Sequence, residues 1–535
     1  MTQDTSRRER ALSEPVESQP VHSKPSACMV ENCLQSIKMD YVTVPTPGPS
    51  IQFLASSNVS LMHGWVPLTV QVVSAILLAM TSMALGRRSR RCRLMYVPVA
   101  ALVGGTVAYG THWYIVDRGL SEEPAPSTLW LWIALTGMSA AVLILGWRGA
   151  SNWRRGAMLL AVPLCLLSAA LVLNLWVGYF PTVQTAWNQL NSRPTPDQTS
   201  QATVTAMAAK GTRPQHGVVV PVTIPSDASH FNHREELVYL PPEWFASSPP
   251  PPLPTVMMIG AQFNTPADWT RAGNAITTID AFAATHHGNA PVLVFVDSDG
   301  AFNNDTECVN GTRGNAADHL TKDVVPYMIS KFGVSPARSN WGVAGWSTGG
   351  TCAVDLTVMH PEMFSAFVDA AGDLFPNAGN KAQTIARLFG GNADAWDAFD
   401  PTTVINRHGP YTGVGGWFAI SGNGPPTAGR DIAMADNGAM RLAGNDAAAN
   451  PGNQSAAAYS LCALGRANGI DCAVVPQPGK HDWLFADHAF AAALPWLAGQ
   501  LSTLGVPRIP LPGTSPPAVP AGPPVQTEHS NTATR

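Results

Sequence analysis

The sequence predicts an α/β domain with a mostly parallel sheet covered by helices on both faces, preceded by a four-helix transmembrane region. Three observations predict it. Four apolar runs free of Asp, Glu, Lys and Arg follow one another between residues 64 and 180. From 255 to 501, short apolar runs alternate with stretches of helical spacing. One of those runs ends in Gly-Trp-Ser-Thr-Gly, residues 345–349, where strand spacing gives way to helix spacing.

The four runs are 64–85, 94–116, 128–147 and 157–180. Each is close to the ~20 residues a helix needs to cross a bilayer. They account for a chain in which only 13% of residues are charged while 45% are hydrophobic. Arginine orients them. The first connection, RRSRRCR at 87–93, carries five arginines, and the third contains Arg148, Arg154 and Arg155. The second, DRGLSEEP, is net acidic. The positive-inside rule places the first and third connections in the cytoplasm and everything after the fourth span outside it. The first 63 residues are polar and read as disordered, with no cleavable signal peptide and with Met39 as an alternative start. A net charge of −4 supplies no polyanion-binding footprint, so nucleic acid is not expected as a partner.

Residues 181–215 lose hydrophobicity and gain Thr, Gln and Pro, as a linker does. GVVVPVTIP (217–225) and REELVYLPP (234–242) alternate as a hairpin, and SSPPPPLP (247–254) is a stiff connection. TVMMIG (255–260), PVLVFVD (291–297), NWGVAG (340–345), FSAFVD (364–369), GGWFAIS (415–421) and DCAVVP (471–476) read as buried strands. Helical spacing occupies 315–332, 348–360, 453–468 and 484–501, so the domain spans 216–505, with a Pro-rich, disordered tail from 506. Cys308, Cys352, Cys462 and Cys472 fall in the exported domain, where disulfides persist. Cys462 and Cys472 flank one helix-to-strand turn and Cys352 follows the Gly-x-Ser-x-Gly turn, so 462–472 and 308–352 are the expected pairs.

Ser347 sits where a nucleophile elbow requires it, between a strand and a helix, the arrangement of an α/β-hydrolase fold. The N–H of Thr348 then faces a developing oxyanion from the helix start. A second donor is expected after TVMMIG, from the N–H of Ala261 or Gln262. The base must come late in the chain. His481, between a strand and the last helix, is best placed; His488 falls on that helix, and His360 ends the helix after the elbow. Between GGWFAIS and the helix at 453 lie three aspartates, Asp431, Asp436 and Asp446, of which Asp436 reads as a turn residue. Asp431 is nearest the strand end, whereas Asp446 immediately precedes the helix–strand–His unit. His230 and His233 in HFNHRE are joined by no Cys or acidic cluster and read as a solvated hairpin loop, so neither a metal nor another cofactor is expected.

With these pieces, the exported domain resembles the esterase-D-like branch of the α/β-hydrolases and, within it, the antigen 85 mycolyltransferases. The matching segments are the elbow, AWDAFDP (395–401), SGNGPP (421–426), NQSAAAYSLCALGRANG (453–469) and PGKHDW (478–483), in the family's order over roughly 216–500. The resemblance implies a serine esterase or acyltransferase acting on acyl esters of the cell envelope. It favours Asp446 as the acid, although the family residue is Glu. Antigen 85 proteins carry Asp-Gly-Leu-Arg where this chain has Ile259-Gly260-Ala261-Gln262, and they lack a four-span anchor. DTECVNG (305–311) is closer to actinobacterial membrane esterases. The expected partners are therefore an acyl-ester substrate, an envelope lipid or glycolipid suiting the location, and the membrane itself.

Overall fold

The computed structural model describes residues 59–62, 64–85, 90–118, 125–190, 198–422 and 453–513. Helices α1 (Trp65–Leu85), α2 (Arg90–Arg118), α3 (Ser127–Gly146) and α4 (Asn152–Val177) occupy the four apolar runs. Three helices, not four, are long and apolar enough to cross a membrane among the described residues: Trp65–Met83, Ser127–Gly146 and Asn152–Val177. In α2 the segment Gly104-Gly105-Thr106 and Gly110-Thr111-His112 dilute the apolar character. The glycines serve packing instead. A Cβ on Gly104 would stand 2.2 Å from the carbonyl oxygen of Ala134 in α3, so glycine lets the two backbones approach. Ser74 and Ser168 join α1 to α4, their hydroxyls 3.0 Å apart.

The stretch read as a linker contains the helices Val183–Leu190 and Gln201–Lys210. Ser200 caps the second by accepting from Thr203 N–H, and Val204 is buried in the core of the sheet domain. Buried Leu511 carries the packed domain past residue 505.

Eight strands form the main sheet: β1 (Val218–Val222), β2 (Glu236–Leu240), β3 (Thr255–Ile259), β4 (Val292–Val296), β5 (Trp341–Trp346), β6 (Ala366–Ala370), β7 (Gly415–Ser421) and β8 (Asp471–Gln477). Their order is β1-β2-β4-β3-β5-β6-β7-β8. The β1–β2 hairpin is antiparallel and pairs antiparallel with β4; the rest of the sheet is parallel. This is an α/β-hydrolase-like sheet. The strands read as unbroken apolar runs because both faces are covered. Met257 and Val343 enter one core with residues of α5 (Thr348–Met359) and α6 (Gln454–Ala467). Met258 and Ala344, one residue on, enter the other, against α7 (Trp483–Gln500) and the helix Ala275–Thr285. The carboxyl ends of β3, β5, β7 and β8 therefore gather along one edge, where open α/β sheets bind ligands.

Candidate active site

Between β5 and α5 the chain turns at Ser347, whose φ of 56° and ψ of −123° place a side-chain-bearing residue in a sparsely populated conformation. Ser347 N–H donates to Ala370 O (2.8 Å), and Gly350 N–H donates to Ser347 O (2.7 Å). The flanking glycines are steric requirements of this turn. A Cβ on Gly345 would lie 1.7 Å from Gly349 O, and one on Gly349 would lie 2.4 Å from Ile259 O.

His481 reaches the serine from the loop between β8 and α7. Its Nε2 lies 2.9 Å from Ser347 Oγ, and its Nδ1 lies 3.1 Å from Gln454 Oε1 at the start of α6. In a neutral imidazole this arrangement puts the proton on Nδ1, donating to the amide oxygen, and leaves Nε2 to accept from the serine hydroxyl. The loop is held from both ends. Ser421 Oγ donates to Gly479 O (2.7 Å), and Asp482 caps α7 by accepting from Phe485 N–H (3.0 Å). The Trp346 ring packs 4.3 Å from the imidazole. Burial pushes the imidazole pKa down to about 4, because desolvation disfavours its charged form.

Asp431, Asp436 and Asp446 lie outside the described residues. Thr348 is the first residue of α5, where N–H groups have no partner within the helix. Ala261 differs from expectation: its N–H donates to Asn264 Oδ1 at 2.8 Å, so that donor is already engaged within its own turn. The Gln262 side chain donates to Asp305 Oδ2 (3.1 Å). Sequence reasoning missed the residue that holds this loop, Arg234. It donates through Nη2 to Asn264 O (2.8 Å) and through Nε to Asp297 Oδ2 (2.9 Å), tying the turn after β3 to the end of β4. Gln454 was also missed as a partner of the histidine, although it stands in the NQ segment that carried the resemblance. Cys308 is bonded to Cys352 and Cys462 to Cys472. The first disulfide fastens the loop after β4 to the helix that starts at the elbow.

His233 is not in a solvated loop. Its side chain is 6% exposed, with Nε2 2.7 Å from Ile224 O and Nδ1 2.9 Å from Arg234 O. Its ring stacks at 4.2 Å on buried His319, whose Nε2 lies 2.8 Å from Glu236 Oε1. His233, Glu236 and His319 bring potential ligand atoms within 4.8 Å of one another. Both ring nitrogens of His319 face carboxylate oxygens, Nε2 that of Glu236 and Nδ1 that of Asp323 at 3.4 Å, which suits a protonated ring. Burial opposes the charge on His319, but Glu236 and Asp323 prevail and hold its pKa above the ordinary value. His319 lies too far along the chain for HFNHRE to have revealed the cluster.

Residues 232–497 match the family described as Putative esterase. An uncharacterised protein of Corynebacterium glutamicum is 27% identical over 392 residues, covering 71% of this chain and 89% of that one, a likeness longer than the esterase segment. Among solved structures, an S-formylglutathione hydrolase from Agrobacterium tumefaciens aligns at a TM-score of 0.40 and 14% identity, over 54% of this chain and 97% of its own. MPT51 of Mycobacterium tuberculosis aligns at 0.34 and 18% identity, over 52% and 99%.

Proposed function

We propose, from the membership of residues 232–497 in the esterase family, that this chain is a membrane-anchored, extracytoplasmic serine esterase or acyltransferase. The observation that carries the reading is the 2.9 Å contact between Ser347 Oγ and His481 Nε2 at a strained strand-to-helix turn. His481 takes the serine proton as Ser347 attacks the ester carbonyl. The N–H groups of Thr348 and Gln262 receive the oxyanion; Ala261 joins them only if Asn264 releases it. Collapse of the tetrahedral intermediate expels the alcohol, which leaves with the proton from His481 and leaves the acyl group on Ser347. Water or a sugar hydroxyl then attacks that ester, His481 again taking the proton and returning it to the departing Ser347 Oγ, to release an acid or a new ester. Asp446, with Asp431 as the alternative, is the proposed acid partner that orients the imidazole.

In this reading all four helices cross the bilayer. The arginine-rich connections stay inside, and the sheet domain works outside, where its two disulfides are chemically at home. A fluorophosphonate probe tests the proposal: it should label the folded wild-type chain and leave Ser347→Ala untouched. Hydrolysis of p-nitrophenyl acetate by that variant should fall by roughly 10⁴-fold or more, given what loss of a nucleophile costs serine hydrolases. A folded chain that neither labels nor turns over any short ester would instead be a hydrolase-like binding domain.

A further inference from the structure

A cavity of about 740 Å³ opens beside the imidazole, and seven of the eleven residues of its wall come from the helical region. On the sheet side stand His481, Gln454 and Lys480; on the other stand Trp132 of α3 with Val172 and Trp176 of α4. The wall thus runs from polar groups beside His481, the partner of Ser347, to helix ends where Val172, Leu175 and the two tryptophans outnumber Gln71 and Thr128. Leu175, also on this wall, is 37% exposed, so the apolar flank is open sideways.

The two halves are fastened together. The Tyr179 hydroxyl, two residues past α4, donates to Asp268 in the segment that follows the β3 loop. Gly178 packs so closely on Asp482, the neighbour of His481, that a Cβ there would sit 2.4 Å from the Asp482 Cβ. Arg387 donates to Val116 O of α2 at 2.9 Å. The cavity is therefore a built feature, within the ~300–1,000 Å³ usual for small-molecule sites.

We infer that the membrane helices complete the acyl-binding site, and that the substrate is a lipid ester whose chain enters from the bilayer between α3, α4 and the sheet domain. This rests on the serine-esterase reading above. The wall residues belong to the start of α3 and the end of α4, the helix ends next to the catalytic domain, at the depth where lipid ester groups meet hydrocarbon. A short, water-soluble ester leaves Leu175 and the half-buried Trp176 uncovered, whereas a long chain covers them and places its carbonyl at Ser347. Tryptophans at the end of a span also suit that boundary.

The test uses the full chain in lipid nanodiscs and a dodecyl fluorophosphonate with a diazirine at the chain terminus. Ser347 Oγ displaces fluoride from phosphorus, light then couples the chain end to its neighbours, and the peptides are sequenced. Crosslinks to 127–146 or 152–177 are expected. Crosslinks confined to the sheet domain, or to bulk lipid, on a modified Ser347 overturn the inference and leave the esterase intact. Failure to modify Ser347 overturns the esterase reading and this inference with it. Independently, Leu175→Trp, on the exposed part of the wall, should lower the ratio of kcat/KM for decanoyl over acetyl esters about tenfold, since pocket contacts with a few methylenes discriminate on that scale. An unchanged ratio counts against the shared site.

Discussion

At the residue scale, His481 is useful to Ser347 only while it is neutral. Burial lowers its pKa to about 4, so the base form persists as pH falls below the ordinary imidazole range. Activity that depends on this base is present above the folded pKa and lost as pH drops through it. With the Gln454 amide alone on Nδ1, kcat/KM for a short ester should stay level from pH 8 to pH 6, with the acid limb centred nearer 4 than 6.5. A carboxylate from Asp446 or Asp431 beside the ring instead favours its charged form and moves that limb up. An acid limb at 6.5 or above would therefore mean that a carboxylate, not the Gln454 amide alone, faces the imidazole. The glycines make a second prediction at this scale. Gly345→Ala forces a Cβ to within 1.7 Å of a backbone oxygen, so it should cost about 2–4 kcal/mol of stability, in the range of severe steric substitutions. Gly156→Ala, with open space around it, should leave the melting temperature nearly unchanged. The elbow was legible because its chemistry demands small residues at fixed spacing. The partner of His481 Nδ1 was not, because an amide oxygen carries no titration signature and Gln454 lies 27 residues away.

Elements were legible wherever burial on both faces wrote an unbroken apolar run, and each of the six such runs is a strand. Helices with short or diluted apolar stripes were harder. Ala275–Thr285 places Ala275, Ile276, Ile279, Phe282 and Ala283 on its buried side, but two threonines and an aspartate break the pattern. Gln201–Lys210 offers small residues and becomes a helix with a purpose only where Val204 meets the sheet. The turn after β3 left least trace, since backbone donors can be made by almost any residue. Its geometry is instead set by Arg234, which bridges Asn264 O and the Asp297 carboxylate. Arg234→Gln should therefore act through that turn, lowering kcat for a short ester by about 10–100-fold, somewhat less than deleting an oxyanion donor outright, with KM little changed. Arg234→Lys, which keeps the charge but not the fork, should rescue only part of it. An equal loss in both variants' folded fraction, with normal kcat in what remains folded, would assign Arg234 to stability alone.

For the whole molecule, the order of parts could be read from the chain, but their docking could not. The contact between Tyr179 and Asp268 joins residues 89 positions apart, and neither is unusual in its own neighbourhood. The proposed orientation rests instead on local signals, five arginines after α1 against an acidic stretch after α2. On the proposed topology, Cys92, within the arginine cluster, and Ser247, exposed on the sheet domain, lie on opposite sides of the bilayer. In a chain with Cys28 and Cys33 replaced by serine, Ser247→Cys should react with a membrane-impermeant maleimide on intact cells. Cys92 should react only after permeabilisation. This outcome depends on α2 crossing the membrane despite its glycines, since an α2 lying on one face would break the alternation on which the proposed export of Ser347 depends. If both thiols react only after permeabilisation, the catalytic domain faces the cytoplasm. Its disulfides would then stand in a reducing compartment, and a lipid ester would have to reach Ser347 from the inner leaflet.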